Sequence, residues 1–123
     1  MELESPEVMT DIVSVYALFG SAEEARHISR TAVEEGLAAC ANVFAPCHSI
    51  YRWEGRIEEA AEVPVLLKTR ADLAERLIAR IDALHSYEVP AAVAWRIEAA
   101  IPSYAKWVEA ETRSGASRED VPA

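Results

Sequence analysis

Apolar residues occupy every second position between residues 11 and 19, which is the spacing of a β-strand with one buried face. The chain then changes to apolar residues three and four positions apart, which is typical of an amphipathic helix. Ser21 and Glu24 form a capping box that begins this helix, and Gly36 ends it, because glycine adopts the left-handed conformation at low cost. The pattern predicts a strand followed by a helix.

A long β-favouring segment, residues 37–54, follows that helix. Fully extended, it would reach about 55 to 60 Å. A compact domain of this chain length is only about 35 Å across. The segment must therefore bend, most simply at Pro46, or project beyond its own domain.

Glu54 and Gly55 predict a turn, and a third strand begins before Val63 and runs through residues 65–69. Pro64 has no amide hydrogen, so we expect it to face a sheet edge or a bulge. Asp72 is predicted to cap a second helix, with Glu75 at the capping-box position. The apolar face of that helix consists of Leu73, Leu77, Ile78, Ile81 and Leu84.

The last third of the chain predicts a loop at residues 85–90, a fourth strand at residues 91–98 and a short helix after Pro102. Polar segments at residues 1–10 and 112–123 are predicted to be flexible, which leaves a single domain at 11–111. The order β-α-β-β-α-β with an extra C-terminal helix predicts an α+β, ferredoxin-like sandwich.

The helices of such a sandwich cover one face of the sheet and leave the other. Tyr16, Tyr51, Trp53 and Trp95 all lie on predicted strands, and one layer of helices cannot bury both faces. We therefore expect the subunit to associate with other copies through its sheet edges or its uncovered face.

Five segments, in this order, resemble motifs of the CutA family. They are residues 37–42 (LAACAN), 49–58 (SIYRWEGRIE), 62–69 (EVPVLLKT), 85–90 (HSYEVP) and the pair Tyr104 and Trp107. The resemblance spans about residues 11 to 110. It implies a ferredoxin-like subunit in a homotrimer with the architecture of the PII signal proteins. It also implies a role in tolerance to divalent cations, copper above all.

The charge of the chain narrows the classes of partner. Twelve basic and 21 acidic residues give a formal net charge of −9, with a pI near 4.8. Nucleic acid and anionic membranes need a positive surface, so neither is expected to bind. The chain contains no apolar stretch long enough to span a bilayer, and its acidic N-terminus lacks the apolar region of a secretion signal. We therefore expect a cytoplasmic protein in which Cys40 and Cys47 are reduced.

Cys40 and His85 are the predicted metal ligands, because thiolate and imidazole suit copper and other divalent cations. Cys47, His48 and Glu88 are further donors in the same segments. No C-x-x-C or H-x-x-x-H spacing brings two strong ligands together, and Cys40 has the alternative interpretation of a buried core thiol.

A second hypothesis is a cleft between subunits that binds a small polar ligand. Its residues would be Tyr51, Trp53, Lys68, His85, Tyr87 and Glu88. Together they offer a cation, an imidazole, a carboxylate and aromatic walls. The alternative is that the aromatic residues seal the trimer interface and that Lys68 pairs with a nearby acid.

An enzyme is the third possibility, with His85 and Tyr87 or Glu88 as acid–base groups. The sequence has no G-x-S-x-G, phosphate-binding loop, dinucleotide fingerprint or H-E-x-x-H motif. We therefore expect no catalytic activity. A metal-binding protein, a metabolite sensor and a structural trimer remain open.

Overall fold

The structure is a computed structural model, and it describes residues 10–113. A 3-10 turn at Ala71–Leu73 precedes the second of three helices. The elements are β1 (Ile12–Phe19), α1 (Ala22–Glu34), β2 (Cys40–Val43), β3 (Cys47–Trp53), β4 (Arg56–Arg70), α2 (Ala74–Leu84), β5 (Ala92–Arg96) and α3 (Pro102–Ala110). The predicted order is confirmed, with the long middle segment divided into β2 and β3.

Strand β4 organises the antiparallel sheet. Its 15 residues pair first with β3 and then with β2 on one side and β1 on the other. The sheet order is β2-β4-β1-β5, with β3 continuing the β4 edge, which is the ferredoxin-like arrangement. Alternate residues of the central strands are buried against α1 and α2. They are Val13, Val15, Ala17, Phe19, Val63, Val65, Leu67 and Thr69.

Helix α1 begins and ends where the sequence predicts. The Ser21 hydroxyl accepts a hydrogen bond from the Glu24 amide at 3.1 Å, and Gly36 has φ +77. The other half of the predicted capping box is wrong. The Glu24 carboxylate does not turn back to Ser21 but accepts from the amide and hydroxyl of Ser86, at 2.8 and 3.0 Å. Two donors from the loop after α2 thus outcompete one local amide.

The bend predicted at Pro46 is present as a break between β2 and β3. Pro64 lies in β4 opposite this break, and its carbonyl accepts from the Phe44 amide at 2.9 Å. In a strand the nitrogen and carbonyl of one residue point to the same side, so the proline nitrogen also faces the break. Beside the break, the sheet therefore lacks only the ladder hydrogen bond that an amide at position 64 would donate.

The predicted start of α2 is wrong. Asp72 lies inside the 3-10 turn, where it pairs with Arg70 at 3.1 Å, and the cap position is Leu73, which makes no side-chain cap hydrogen bond. The turn places Leu73 in the core, fully buried with Leu77 and Ile81 as the apolar pattern predicts. Burial of Leu73 thus decides where the helix starts.

Both predicted flexible segments include anchored residues. The Thr10 hydroxyl donates to the Ile97 carbonyl, and Thr112 is buried with its hydroxyl bonded within the last turn of α3. The remaining positions of those predictions, residues 1–9 and 114–123, lie outside the described residues.

The sheet face away from α1 and α2, here called the outer face, stays largely open in the single chain. Helix α3 covers part of it, where the Tyr104 hydroxyl lies 3.5 Å from the Cys40 sulfur. Trp95 contacts Tyr16 with ring centroids 6.3 Å apart but remains 49% exposed. Trp53 is 40% exposed on the β3–β4 hairpin. The predicted uncovered aromatic face is therefore present.

Candidate functional site

A groove of about 600 Å³ opens at the end of the outer face, between the β3–β4 hairpin and the loop from α2 to β5. Its polar and aromatic lining consists of Ser49, Tyr51, Trp53, Glu62, Tyr87 and Glu88. Its apolar lining consists of Leu18, Ile50, Val89 and Ala91. The volume is within the range of small-molecule sites.

The sheet geometry brings the hairpin residues together. Ser49, Tyr51 and Trp53 are spaced two apart on β3, so their side chains point to the same face. Cys47 is opposite Glu62 in the β3–β4 register, which places the Glu62 carboxylate on that same face. The alternation of β3 thus aligns two aromatic rings with one acid.

Tyr87 connects the loop to this acid. Its hydroxyl donates a 2.9 Å hydrogen bond to Oε2 of Glu62, whose residue is only 8% exposed. Burial, and then the hydrogen bond to Glu62, raise the pKa of Tyr87 to about 12. The phenol therefore stays protonated and keeps donating to the carboxylate at neutral pH.

His85 lies beneath the groove with a fully buried side chain. Its Nε2 lies 2.7 Å from the Leu18 carbonyl, and its Nδ1 accepts from the Tyr87 amide at 3.1 Å. These partners define the neutral tautomer with the proton on Nε2. The ring stacks on Phe19 at 4.8 Å and meets Tyr87 at 4.6 Å. His85 is thus a support of the loop, with both ring nitrogens engaged.

The loop itself is held at two further points. Glu24 on α1 binds Ser86, as described above, and its carboxylate lies 3.7 Å from Nδ1 of His85. Gly20 lies against the Tyr87 ring, and a Cβ at Gly20 would come within 3.2 Å of that ring. The absence of a side chain at position 20 therefore lets Tyr87 reach Glu62.

The predicted metal ligands are not brought together within the chain. Cys40 is opposite Lys68 on β4, whereas His85 bonds Leu18, which is opposite Pro64. Four residues of strand separate these positions by about 13 Å. Among residues 10–113, no group of three or more His, Cys, Asp or Glu side chains could hold a metal ion.

Four of the six predicted cleft residues line the groove: Tyr51, Trp53, Tyr87 and Glu88. Lys68 lies away from it, beside Cys40, and His85 lies beneath it. Glu62 was not predicted from the sequence. Glu62 lies in the segment EVPVLLKT, but the sequence does not reveal its partner, because the tyrosine that donates to it is 25 residues away.

Comparison with known proteins agrees with this fold. Residues 13–111 match the family model of the CutA1 divalent ion tolerance protein. The chain is 41% identical over 102 residues to the divalent-cation tolerance protein CutA of Pyrococcus horikoshii, covering 83% of this chain and 99% of that protein. It is 33% identical over 111 residues to the protein CutA, chloroplastic, of Arabidopsis thaliana, covering 90% of this chain but only 60% of that one.

Solved structures of CutA proteins have the same fold as this chain. The crystal structure of CutA from Xylella fastidiosa superposes with a TM-score of 0.82 at 35% identity, covering 85% of this chain and all of that one. Within the described residues, no helix is long and apolar enough to cross a membrane. The matched segment, the shared fold and the level of identity together show that the chain belongs to the CutA1 divalent ion tolerance family.

Proposed function

We propose that this protein acts in divalent-cation tolerance as a homotrimer that binds a metal ion, copper or another divalent cation, and that it is a binding protein rather than an enzyme. The observation that carries the proposal is the family match over residues 13–111. The relative from Pyrococcus horikoshii is named for divalent-cation tolerance and matches along almost its whole length.

The exposed apolar surface supports the homotrimer. Ile57 on the hairpin is 59% exposed, and Trp95 on the edge strand β5 is 49% exposed. Exposed apolar side chains on a hairpin and on an edge strand favour association with other chains. The proposed trimer has the PII-like arrangement, in which outer faces pack together.

Cys40 is the stronger of the two proposed metal ligands. Its half-buried thiol lies on the outer face and has only the Tyr104 hydroxyl, at 3.5 Å, as a hydrogen-bond partner among the described residues. His85 would have to release either the Leu18 carbonyl or the Tyr87 amide to bind a metal. Since one chain gathers too few donors among residues 10–113, the proposed site is completed by a neighbouring subunit.

A competitive titration tests this proposal. Reduced, metal-free protein is titrated with Cu(I), Cu(II) and Zn(II) against a chelating indicator, together with the variants Cys40→Ala, His85→Ala and Cys47→Ala. We expect saturable binding at a fixed ratio per trimer that is lost in Cys40→Ala and retained in the control, Cys47→Ala. Binding no greater than that of an unrelated acidic protein would rule the metal site out.

A second candidate function is a sensor that binds a small metabolite, and the groove between the hairpin and the α2–β5 loop favours it. The groove has the volume and the mixed apolar and polar lining of a small-molecule site. In this alternative, ligand binding is independent of Cys40, so a Cys40→Ala variant would bind the metabolite as the parent does.

We also propose a cytoplasmic location, because both cysteines are free thiols in the structure. The Arabidopsis relative is named as chloroplastic, so location varies among proteins of this family. Fractionation of the native host, followed by detection of the full chain, tests the proposal, and recovery in a membrane-enclosed compartment would contradict it.

A further inference from the structure

The groove combines acidic and aromatic side chains. Two carboxylates, Glu62 and Glu88, and three aromatic rings line it, and none of the described residues that line it carries a basic side chain. We infer that the groove is a site for an organic cation, an ammonium or guanidinium group carried on an apolar body. The inference rests on the second candidate function, in which the groove is a small-ligand site.

Glu62 provides the central negative charge. Its residue is 8% exposed, and only Oε2 has a hydrogen-bond partner among the described residues, the Tyr87 hydroxyl. A carboxylate removed from water is costly unless a cation or further donors accompany it. The groove thus holds an anion whose second oxygen is available to a ligand that donates hydrogen bonds and carries positive charge.

The aromatic side chains select for the same class of ligand. Tyr51 and Trp53 are 41% and 40% exposed, and they present rings beside the carboxylates. The faces of such rings attract cations, and aromatic rings are used to recognise quaternary ammonium ligands. Leu18 and Val89 extend the lining with apolar surface, which favours a ligand with a hydrocarbon portion.

A bare metal ion fits the groove less well. Calcium and magnesium take six or more oxygen ligands. Among the described residues, no cluster of three or more His, Cys, Asp or Glu side chains could hold a metal ion. The groove has two carboxylates and largely apolar walls. It therefore suits a ligand whose one positive charge pairs with a carboxylate and whose remaining surface is buried against apolar side chains.

Three aromatic probes of similar size test the inference: benzylammonium, benzyl alcohol and benzoate. Each is titrated into the full chain by calorimetry at low salt, with the parent, Glu62→Gln and Glu34→Gln compared. Glutamine at position 62 can still accept from Tyr87, so it removes the charge while keeping that hydrogen bond. Glu34 is an exposed acid on α1 and serves as the control.

We expect benzylammonium to bind about tenfold or more tightly than benzyl alcohol, and benzoate not to bind, because a hydrogen bond to a charged group contributes roughly this factor. Glu62→Gln should abolish the preference, and Glu34→Gln should leave it unchanged. Equal binding of alcohol and ammonium would overturn the cation class while leaving a ligand site. Binding of none of the three probes would overturn both the cation class and the ligand site.

Discussion

Tyr87 reaches from the α2–β5 loop to the buried acid of β4. The Tyr87 hydroxyl donates a hydrogen bond to Glu62, and Nδ1 of His85 accepts a hydrogen bond from the Tyr87 amide. The position of one side chain therefore depends on two hydrogen bonds from different parts of the fold. Loss of either should loosen the wall of the groove.

We predict that Tyr87→Phe lowers the free energy of unfolding at pH 8 by about 1 to 3 kcal/mol, because it leaves a buried carboxylate without its donor. The pH dependence should also change. Burial raises the pKa of Tyr87 from 10.0 to about 12, so the neutral phenol is favoured in the folded state. Its contribution is complete below pH 10 and is lost as the pH rises to about 12.

Urea unfolding of the parent and Tyr87→Phe between pH 8 and pH 12, at one protein concentration, measures both effects. The difference in stability between the two proteins should shrink above pH 10. A difference that stays constant across this range would contradict the assignment of the raised pKa to Tyr87.

At the residue scale, the sequence predicted features that depend on neighbours in the chain. Ser21 and Gly36 cap α1 as expected, because both act within one turn. Glu24 and Asp72 were assigned wrongly, since each has a competing interaction: Ser86 is 62 residues from Glu24, and Leu73 is drawn into the core beside Asp72.

Among the elements, the β3–β4 hairpin has the most demanding turn. Glu54 and Gly55 both have positive φ, 51 and 82, which is the backbone of a type I′ turn. This conformation costs a non-glycine residue such as glutamate about 1 kcal/mol. The turn is therefore formed with strain at its first central position.

We predict that Glu54→Gly raises the free energy of unfolding, by up to about 1 kcal/mol, because relief of the left-handed strain exceeds the entropy added to the unfolded chain. The change is measured by urea or thermal unfolding. Gly55→Ala is the opposite test. Space around Gly55 is open, so any loss of stability there reports backbone conformation alone. A destabilised Glu54→Gly variant would contradict the prediction.

The elements themselves were predicted well, and their boundaries less well. The length of residues 37–54 required either a bend, most simply at Pro46, or a projection beyond the domain, and the structure has a break at that position. The sequence placed the start of β4 only somewhere before Val63 and did not locate it at Arg56, because residues 56–62 are mostly charged or small and lack an apolar face. Pairing with β3, which the sequence does not show, makes them a strand.

For the whole molecule, the outer face is the surface on which the proposed homotrimer depends. Trp95 lies on edge strand β5 with about half of its surface exposed, next to Tyr16. The need for a cover on this face could be predicted from the sequence, since helices bury only one side of such a sheet. The groove could be predicted only in part, because Glu62 and Lys68 are assigned by sheet register.

We predict that Trp95→Glu converts the proposed homotrimer to monomer at micromolar concentration, because an unpaired charge buried at the proposed interface is costly. Sedimentation equilibrium should give three times 13.5 kDa for the parent and a single subunit for the variant. Ala83→Glu on the exposed surface of α2 is the matched control and should stay trimeric. A monomeric parent would contradict the trimer.

The length of β4 has a consequence for hydrogen exchange. Residues 56–62 pair only with β3 in the part of the chain that the structure describes, whereas residues 63–70 pair with β1 and, over residues 65–68, with β2 on the other side as well. At their junction, Pro64 has no amide hydrogen, so the first half can open without breaking the second. Exchange of residues 56–62 should therefore be fast in a monomer, such as Trp95→Glu, and slow in the trimer. The rate of deuterium uptake by residues 56–62 would then report how long a subunit stays bound to its neighbours, and the measurement needs no label attached to the protein.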